Sequence, residues 1–173
     1  MARVLLVLPG NQFNDRAYAA VRETLESEGV RLVTTTRSGQ AATAAQGTVI
    51  AADRKLADVD GATYDAVVLF GGVGAPTLWH DHDAIRVLKQ AAGHAKAIGA
   101  MDSAVVVLAN AGLLMRRRAT APMAGRRLVT VKGGTVLDEE VVVDGPIVTA
   151  RSESAARHFA NALLGLLPQP QAA

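Results

Sequence analysis

Three runs of consecutive aliphatic residues limit the folds open to this chain more than any other feature of its sequence. They are Val4 to Leu8, Ala66 to Phe70 and the run that ends at Met101. A strand without polar alternation is typical of a parallel sheet that is buried on both faces. Segments with helical apolar spacing lie between these runs. The pattern therefore predicts an α/β fold, with a mostly parallel sheet and helices on both faces.

The remaining elements follow from caps, breakers and periodicity. We expect a helix from an N-cap at Asn14 or Asp15 to Glu28, with Gly29 at its C-terminal end. A second helix starts near Asp81 to Asp83 and ends at Ala92-Gly93, and a closing helix runs from Ser152 to about Leu167. Predicted inward positions are Ile85, Leu88 and Ala92 in the second helix, and Ala156, Phe159, Leu163 and Leu167 in the last. Further predicted strands cover residues 30–35, 48–50, 128–131, 140–145 and 147–150, with 128–131 and 140–145 exposed or at an edge.

Length and composition favour one domain over residues 1–173, with its core at about 3–166 and a frayed tail from Gln169. The chain has no cysteine, which excludes disulfides, thiolate metal sites and a cysteine nucleophile. Its net charge is +2, and its arginine-rich turn at 116–118 is not interleaved with aromatic residues, so nucleic-acid binding is not expected. No apolar run is long enough for a signal peptide or a membrane helix, which predicts a cytoplasmic protein.

A sharp turn follows the aliphatic run that ends at Met101. Asp102 and Ser103 interrupt the apolar residues, and we expect a packed helix from Ser103 to about Asn110. A strand that turns directly into a helix exposes its first turn residue at the carboxyl edge of the sheet, as in a nucleophile elbow. The sequence therefore predicts an elbow with Asp102 at its apex.

Two more polar or glycine-rich segments end strands at the same predicted edge. Asn11 lies in the loop after the first strand, and Gly71, Gly72 and Gly74 follow Phe70. Ligands of doubly wound sheets bind at such carboxyl edges, where glycines allow a close approach of backbone amides. The glycines lack the spacing of a dinucleotide or nucleoside triphosphate loop, so no cofactor is expected.

Residues 79–83 gather one tryptophan, two histidines and two aspartates. Neighbouring residues in a turn do not converge on one ion without further ligands, so we predict no metal site and interpret the aspartates as helix caps. Trp79 either forms a wall of the predicted pocket or packs at a subunit contact.

The order of these segments resembles the ThiJ/PfpI superfamily, through residues 71–76, 100–104, 109–114 and 140–149. The stretches 112–114 and 117–120 are similar to the isonitrile-hydratase branch, whereas 140–145 looks more like the PfpI peptidase branch. The resemblance covers roughly residues 3 to 166. It implies a flavodoxin-like three-layer sandwich of the class I glutamine amidotransferase type, and a homodimer.

The resemblance also implies a site built from an elbow cysteine, an acidic residue of the first loop and often a histidine. The cysteine position corresponds to Asp102, Asn14 takes the place of the glutamate, and Asp15 follows it. Threonine, alanine and proline stand at 120–122, where several relatives have a histidine. Thiol-dependent activities of the family therefore do not carry over to this chain.

Two hypotheses remain for Asp102. In the first, it is the general acid/base of a cofactor-independent enzyme acting on a small carbonyl, nitrile-like or amide-like molecule, with hydratase, lyase or isomerase chemistry. Asn14, Asp15 and Ser103 assist it, and substrate-binding residues are Gly71, Gly72, Gly74, Asn11, Ala104 and Trp79. In the second, the cysteine chemistry has been lost, and the chain is a non-catalytic small-molecule-binding or stress-associated protein in which Asp102 caps a helix. A replaced native cysteine is a third possibility.

Overall fold

The computed structural model describes residues 1–169, so most of the predicted tail lies outside the described residues. Five α-helices and twelve strands are formed within this range. The helices are α1 (Asp15–Ser27), α2 (His82–Gly93), α3 (Val105–Asn110), α4 (Met123–Val131) and α5 (Ala156–Leu166). The strands are β1 (Arg3–Leu8), β2 (Asn11–Phe13), β3 (Arg31–Thr36), β4 (Ala42–Ala44), β5 (Val49–Ile50), β6 (Arg54–Lys55), β7 (Ala66–Leu69), β8 (Ala97–Met101), β9 (Arg118–Ala119), β10 (Thr135–Val136), β11 (Val141–Asp144) and β12 (Ile147–Ala150).

A seven-stranded sheet forms the middle layer, in the order β11-β12-β8-β7-β1-β3-β6. All its neighbours pair in parallel except the edge strand β11, which runs antiparallel to β12. The three aliphatic runs form the adjacent strands β1, β7 and β8. Their carboxyl ends therefore lie side by side at one edge of the sheet.

The side chains of β1 alternate between two cores, because successive residues of a strand point to opposite faces. Val4, Leu6 and Leu8 belong to the core under α1 and α5. Leu5 and Val7 belong to the core under α2, α3 and α4. Helices cover both faces, so the predicted α/β flavodoxin-like sandwich is confirmed.

The predicted caps agree with the structure at both ends of α1. The Asn14 side chain accepts a hydrogen bond from the Ala17 N–H, and Gly29 takes a left-handed φ of 76° after the helix. The antiparallel hairpin strand around residues 48–50 is β5, paired with β4. At the closing helix, Ser152 precedes a 3-10 turn without capping it, and its hydroxyl instead bonds that of Ser154.

The strand predicted at 128–131 is wrong. These residues form the last turn of α4, and only Val129 of them is buried. Val129 packs in the same core as the residues of α3, and burial of this helical face overrides the strand preference of a Leu-Val-Thr-Val run. In α2, Leu88 is buried as predicted, and Ile85 and Ala92 are half-buried and pack against the same core.

Candidate active site

Loops from three adjacent strand ends meet in one open cleft of about 450 Å³. The loop after β1, the glycine turn after β7 and the elbow after β8 all contribute, and the β4–β5 hairpin and the start of α4 complete the walls. Lining residues are Gln12, Asn14, Ala45, Gly72, Val73, Pro76, Trp79, Asp102, Ser103 and Ala124. Asp102 is the only one of these whose side chain ionises.

Asp102 is the apex of the predicted elbow. Its φ is 54°, a left-handed value that is uncommon outside glycine, and aspartate tolerates it better than most residues. A 3-10 turn, Asp102–Ala104, leads directly into α3. Met101 occupies the N-cap position of this turn, and Asp102 is its first residue, beside the Ser103 N–H. The hypothesis that Asp102 serves as a helix cap therefore stays a prediction, as does its role as an acid/base.

Burial raises the pKa of the Asp102 carboxyl above its usual value. The backbone N–H of Ser103 acts in the opposite direction, and the negative charge of Glu153 adds to the rise. A half-buried carboxylate has lost part of its hydration, so its charged form is less stable than on an exposed aspartate. Such a carboxyl is better suited than an exposed one to exchange protons with a bound molecule.

The glycine turn touches both of its neighbours in the cleft. A Cβ at Gly71 would lie 2.6 Å from the Met101 carbonyl oxygen and 2.7 Å from Cβ of Asp102. Gly72 has a φ of 124°, and a Cβ there would overlap the Gln12 carbonyl oxygen and lie 3.0 Å from Cα of Phe13. These positions need glycine because the three loops pack backbone against backbone.

Two backbone N–H groups of the glycine turn, both in residues that line the cleft, have no hydrogen-bond acceptor in residues 1–169. Within residues 1–169, the N–H groups of Gly72 and Val73 donate to no protein acceptor. The N–H of Gly74, in contrast, donates to the Gln12 carbonyl at 3.3 Å. Unpaired N–H groups of this kind can hold an oxygen that gains negative charge during a reaction.

The first loop separates the two residues that the resemblance placed together. Asn14 lines the cleft, although its Oδ1 accepts the Ala17 N–H at 2.9 Å. Asp15 does not line the cleft, because its Oδ1 accepts the Gln46 N–H of the β4–β5 hairpin at 2.9 Å. Partial burial acts to raise the pKa of the Asp15 carboxyl, but hydrogen bonds, first from the Gln46 backbone, outweigh it and the pKa lies below its usual value.

Ser103 and Trp79 connect the elbow to the glycine turn. The Ser103 hydroxyl donates to the Gly72 carbonyl at 3.1 Å, and the Trp79 indole N–H donates to the Ser103 carbonyl at 2.9 Å. Trp79 thus forms a wall of the cleft with its indole N–H already occupied. The predicted residues Gly71, Gly74, Asn11 and Ala104 are absent from the lining of the cleft. The first, second and fourth of these are buried, and Asn11 is exposed.

The histidine-rich turn contains a cap and an ion pair. Asp81 accepts the Ala84 N–H at 3.0 Å at the start of α2 and pairs with Arg37 at 2.9 Å. His80 and His82 are exposed. The part of the chain that the structure describes contains no group of three His, Cys, Asp or Glu side chains able to hold a metal ion.

Five lining residues were not predicted from the sequence: Gln12, Ala45, Val73, Pro76 and Ala124. Gln12 has a left-handed φ of 50°, which its sequence context does not reveal. Ala45 and Ala124 come from a hairpin and a helix that reach the cleft only through the tertiary fold. The sequence prediction also missed Glu153, which helps to raise the pKa of Asp102. Glu153 follows β12, and β12 is the sheet neighbour of β8. The predicted adjacency of these two strand ends was the signal that could have indicated it.

None of the helices in residues 1–169 has the length and apolar character needed to cross a bilayer.

Comparison with known proteins identifies a single family. The model of the DJ-1/PfpI family matches residues 2–166. An uncharacterized protein of Methanocaldococcus jannaschii is 32% identical over 162 residues, which cover 91% of this chain and 78% of that protein. A deglycase of Thermococcus kodakarensis is 26% identical over 147 residues, or 85% and 89% of the two chains. The crystal structure of a ThiJ/PfpI domain protein from Brachyspira murdochii has a TM-score of 0.92 and 31% identity, and the match covers 95% of each chain.

Proposed function

The chain belongs to the DJ-1/PfpI family, and we propose that it is a cofactor-independent enzyme that uses Asp102 as general acid and base on a small neutral molecule. Carbonyl compounds are the preferred substrates, with nitrile-like and amide-like molecules in the same class. The observation that carries the proposal is the position of Asp102. Among the lining residues that the structure describes, its carboxyl is the only ionisable side chain; it is half-buried, and burial raises its pKa.

The cleft offers a complete set of groups for proton transfer beside a carbonyl. The Asp102 carboxylate removes a proton from the carbon next to the carbonyl, and the electron pair of that C–H bond moves onto the carbonyl oxygen. The N–H groups of Gly72 and Val73 stabilise the resulting enolate oxygen. The protonated Asp102 then returns its proton to the substrate, which gives an exchange, an isomerisation or, with a leaving group present, an elimination.

A non-catalytic small-molecule-binding protein is the second candidate. One observation favours it: the lining residues offer no second ionisable side chain that could share the proton transfers. Under this alternative, the cleft binds the same neutral molecules without changing them. The homodimer expected from the resemblance stays a prediction under both candidates.

Exchange of carbon-bound protons with D₂O separates the two candidates. We would follow the methyl protons of pyruvamide and hydroxyacetone by NMR, with wild-type protein and with the Asp102→Asn variant. Asparagine is nearly isosteric and tolerates a positive φ, but it does not exchange protons near neutral pH. Loss of a general acid/base lowers rates by roughly 10²- to 10⁴-fold.

The matched control is Asp58→Asn, which removes an exposed carboxylate outside the cleft and should leave exchange unchanged. Catalysed exchange that is lost in Asp102→Asn, with an unchanged fold by circular dichroism, supports the enzyme. If the wild type exchanges neither compound faster than the Asp102→Asn variant does, the enzyme proposal is refuted and binding remains.

A further inference from the structure

A second side chain of the cleft bears on which molecules enter it. We infer that Gln12 determines specificity: the cleft accepts uncharged carbonyl compounds that carry an amide beside the carbonyl, and it rejects the corresponding carboxylates. This inference deepens the proposed function and rests on it for the identity of the site. Gln12 is here a binding residue, distinct from the acid/base Asp102.

The backbone of Gln12 is fixed at an unusual conformation. Its φ is 50°, and Asp102 is the only other lining residue outside glycine with a left-handed φ. The Gln12 carbonyl accepts the Gly74 N–H at 3.3 Å, and Gly72 leaves no room for any side chain against that carbonyl. The next residue, Phe13, is fully buried in the core. Contacts on both sides therefore hold this strained residue at the cleft wall.

The side chain of Gln12 remains available to a ligand. The Asn14 side-chain oxygen already accepts the Ala17 N–H, and the Ser103 hydroxyl already donates to the Gly72 carbonyl. Gln12 is exposed, and within residues 1–169 its amide forms no hydrogen bond to the protein. A primary amide offers both a carbonyl acceptor and two N–H donors, which complements a second amide. Gln12 is thus a neutral side chain of this wall whose donors and acceptor are all free of the protein within residues 1–169.

The charge of the cleft excludes the anionic counterpart of such a ligand. Among residues 1–169, no lysine, arginine or histidine lines the cleft, and Asp102 supplies negative charge when ionised. Arg37, near the start of α2, is already paired with Asp81 at 2.9 Å. A carboxylate would lose hydration without gaining a cation, whereas a neutral amide of the same shape would lose far less. The Gly72 and Val73 N–H groups can hydrogen-bond an oxygen of either ligand, so the selection against the carboxylate comes from its charge, and the Gln12 amide adds a preference for the neutral amide.

Trp79 allows the inference to be tested by binding alone. It is the only tryptophan of the chain and lines the cleft, so its fluorescence reports occupancy whether or not a reaction follows. We would titrate the full chain with pyruvamide and with pyruvate, which have nearly the same size and differ in charge. We expect wild-type protein to bind pyruvamide at least about tenfold more tightly, because a buried charge without a partner is penalised.

Two substitutions at Gln12 make opposite predictions. Gln12→Met keeps the length of the side chain and removes its polar groups, so pyruvamide affinity should fall about tenfold, the usual cost of a lost hydrogen-bond partner. Gln12→Lys adds a cation and should make pyruvate the preferred ligand. Gln40→Lys adds the same charge at an exposed glutamine outside the cleft and should leave the preference unchanged. Thermal melting checks that each variant folds, and Gln12→Gly, which also removes the amide and suits a positive φ, replaces Gln12→Met if that variant unfolds.

Equal affinity of the wild type for pyruvate and pyruvamide overturns the inference. So does pyruvamide affinity that is unchanged in Gln12→Met, or a wild type that binds neither compound. The outcome for the proposed function is separate: if pyruvamide binds through Gln12 but neither pyruvamide nor hydroxyacetone exchanges protons, the enzyme is refuted and the specificity role stands. If pyruvamide exchanges protons and Gln12→Met does not change that exchange, the specificity role of Gln12 is refuted and the enzyme proposal stands.

Discussion

Replacing Gly72 by alanine should damage both the stability of the protein and its cleft. A Cβ at this position would overlap the Gln12 carbonyl oxygen and lie 3.0 Å from Cα of Phe13 and 3.1 Å from the Asn14 nitrogen. All three neighbours are backbone atoms, which do not move aside as a flexible side chain would. The first loop must therefore shift, or the glycine turn must open.

The expected magnitude has two parts. A residue with a side chain at a φ of 124° costs of order 1–3 kcal/mol in backbone strain. Overpacking against a rigid neighbour costs about another 1–3 kcal/mol. For a domain of this size, each kcal/mol lowers the melting temperature by about 2–4 °C. We therefore expect Gly72→Ala to melt about 5–20 °C below the wild type.

Two further glycines separate these parts. Gly112 has a φ of 78° with open space around its Cβ position, so Gly112→Ala carries the backbone cost alone. Gly93, the last residue of α2, has neither a positive φ nor a close neighbour, so Gly93→Ala should not lower the melting temperature. Calorimetry on all three variants gives the comparison, and pyruvamide exchange reports the cleft. A Gly72→Ala variant that melts like Gly112→Ala and keeps wild-type exchange would refute the close packing of the loops.

Three other predictions concern protonation, thiol chemistry and helix stability. Folding raises the pKa of the Asp102 carboxyl, so its protonated form stabilises the folded state. This stabilisation is fully present below the pKa of an unfolded aspartate, about 3.9, and is lost as the pH rises through the pKa of the folded state. The melting temperature of wild type minus that of Asp102→Asn should thus decrease with rising pH, and a difference that increases would contradict the sign. Since the chain has no cysteine, iodoacetamide should not affect any activity, and no deglycase or peptidase turnover should be found in the pure protein; turnover that persists in Asp102→Asn would place the site elsewhere. Gly165→Ala, in open space within α5, should stabilise the protein by about 0.5–1 kcal/mol in urea unfolding, and a loss of stability would show a contact that the structure lacks.

Local pattern was sufficient for much of the fold. The aliphatic runs of β1, β7 and β8 are buried on both faces, and this double burial is visible in the sequence because it removes the polar alternation. Asn14 and Gly29 mark the ends of α1 through chemistry that involves only near neighbours. The elbow at Asp102 was predictable for the same reason, since a strand, a polar break and a helix are consecutive in the chain.

Tertiary packing decided the rest. The run at 128–131 has the local preference of a strand, yet contacts with α3 make it a helix. Asp15 follows Asn14 directly, but the β4–β5 hairpin turns its carboxylate out of the cleft. Gln12, Ala45 and Ala124 lie in separate parts of the chain, and their convergence on Asp102 depends on the paths of whole loops and helices. A sequence pattern records the environment of each residue along its own segment, whereas the cleft is formed by distances between segments that only the folded chain sets.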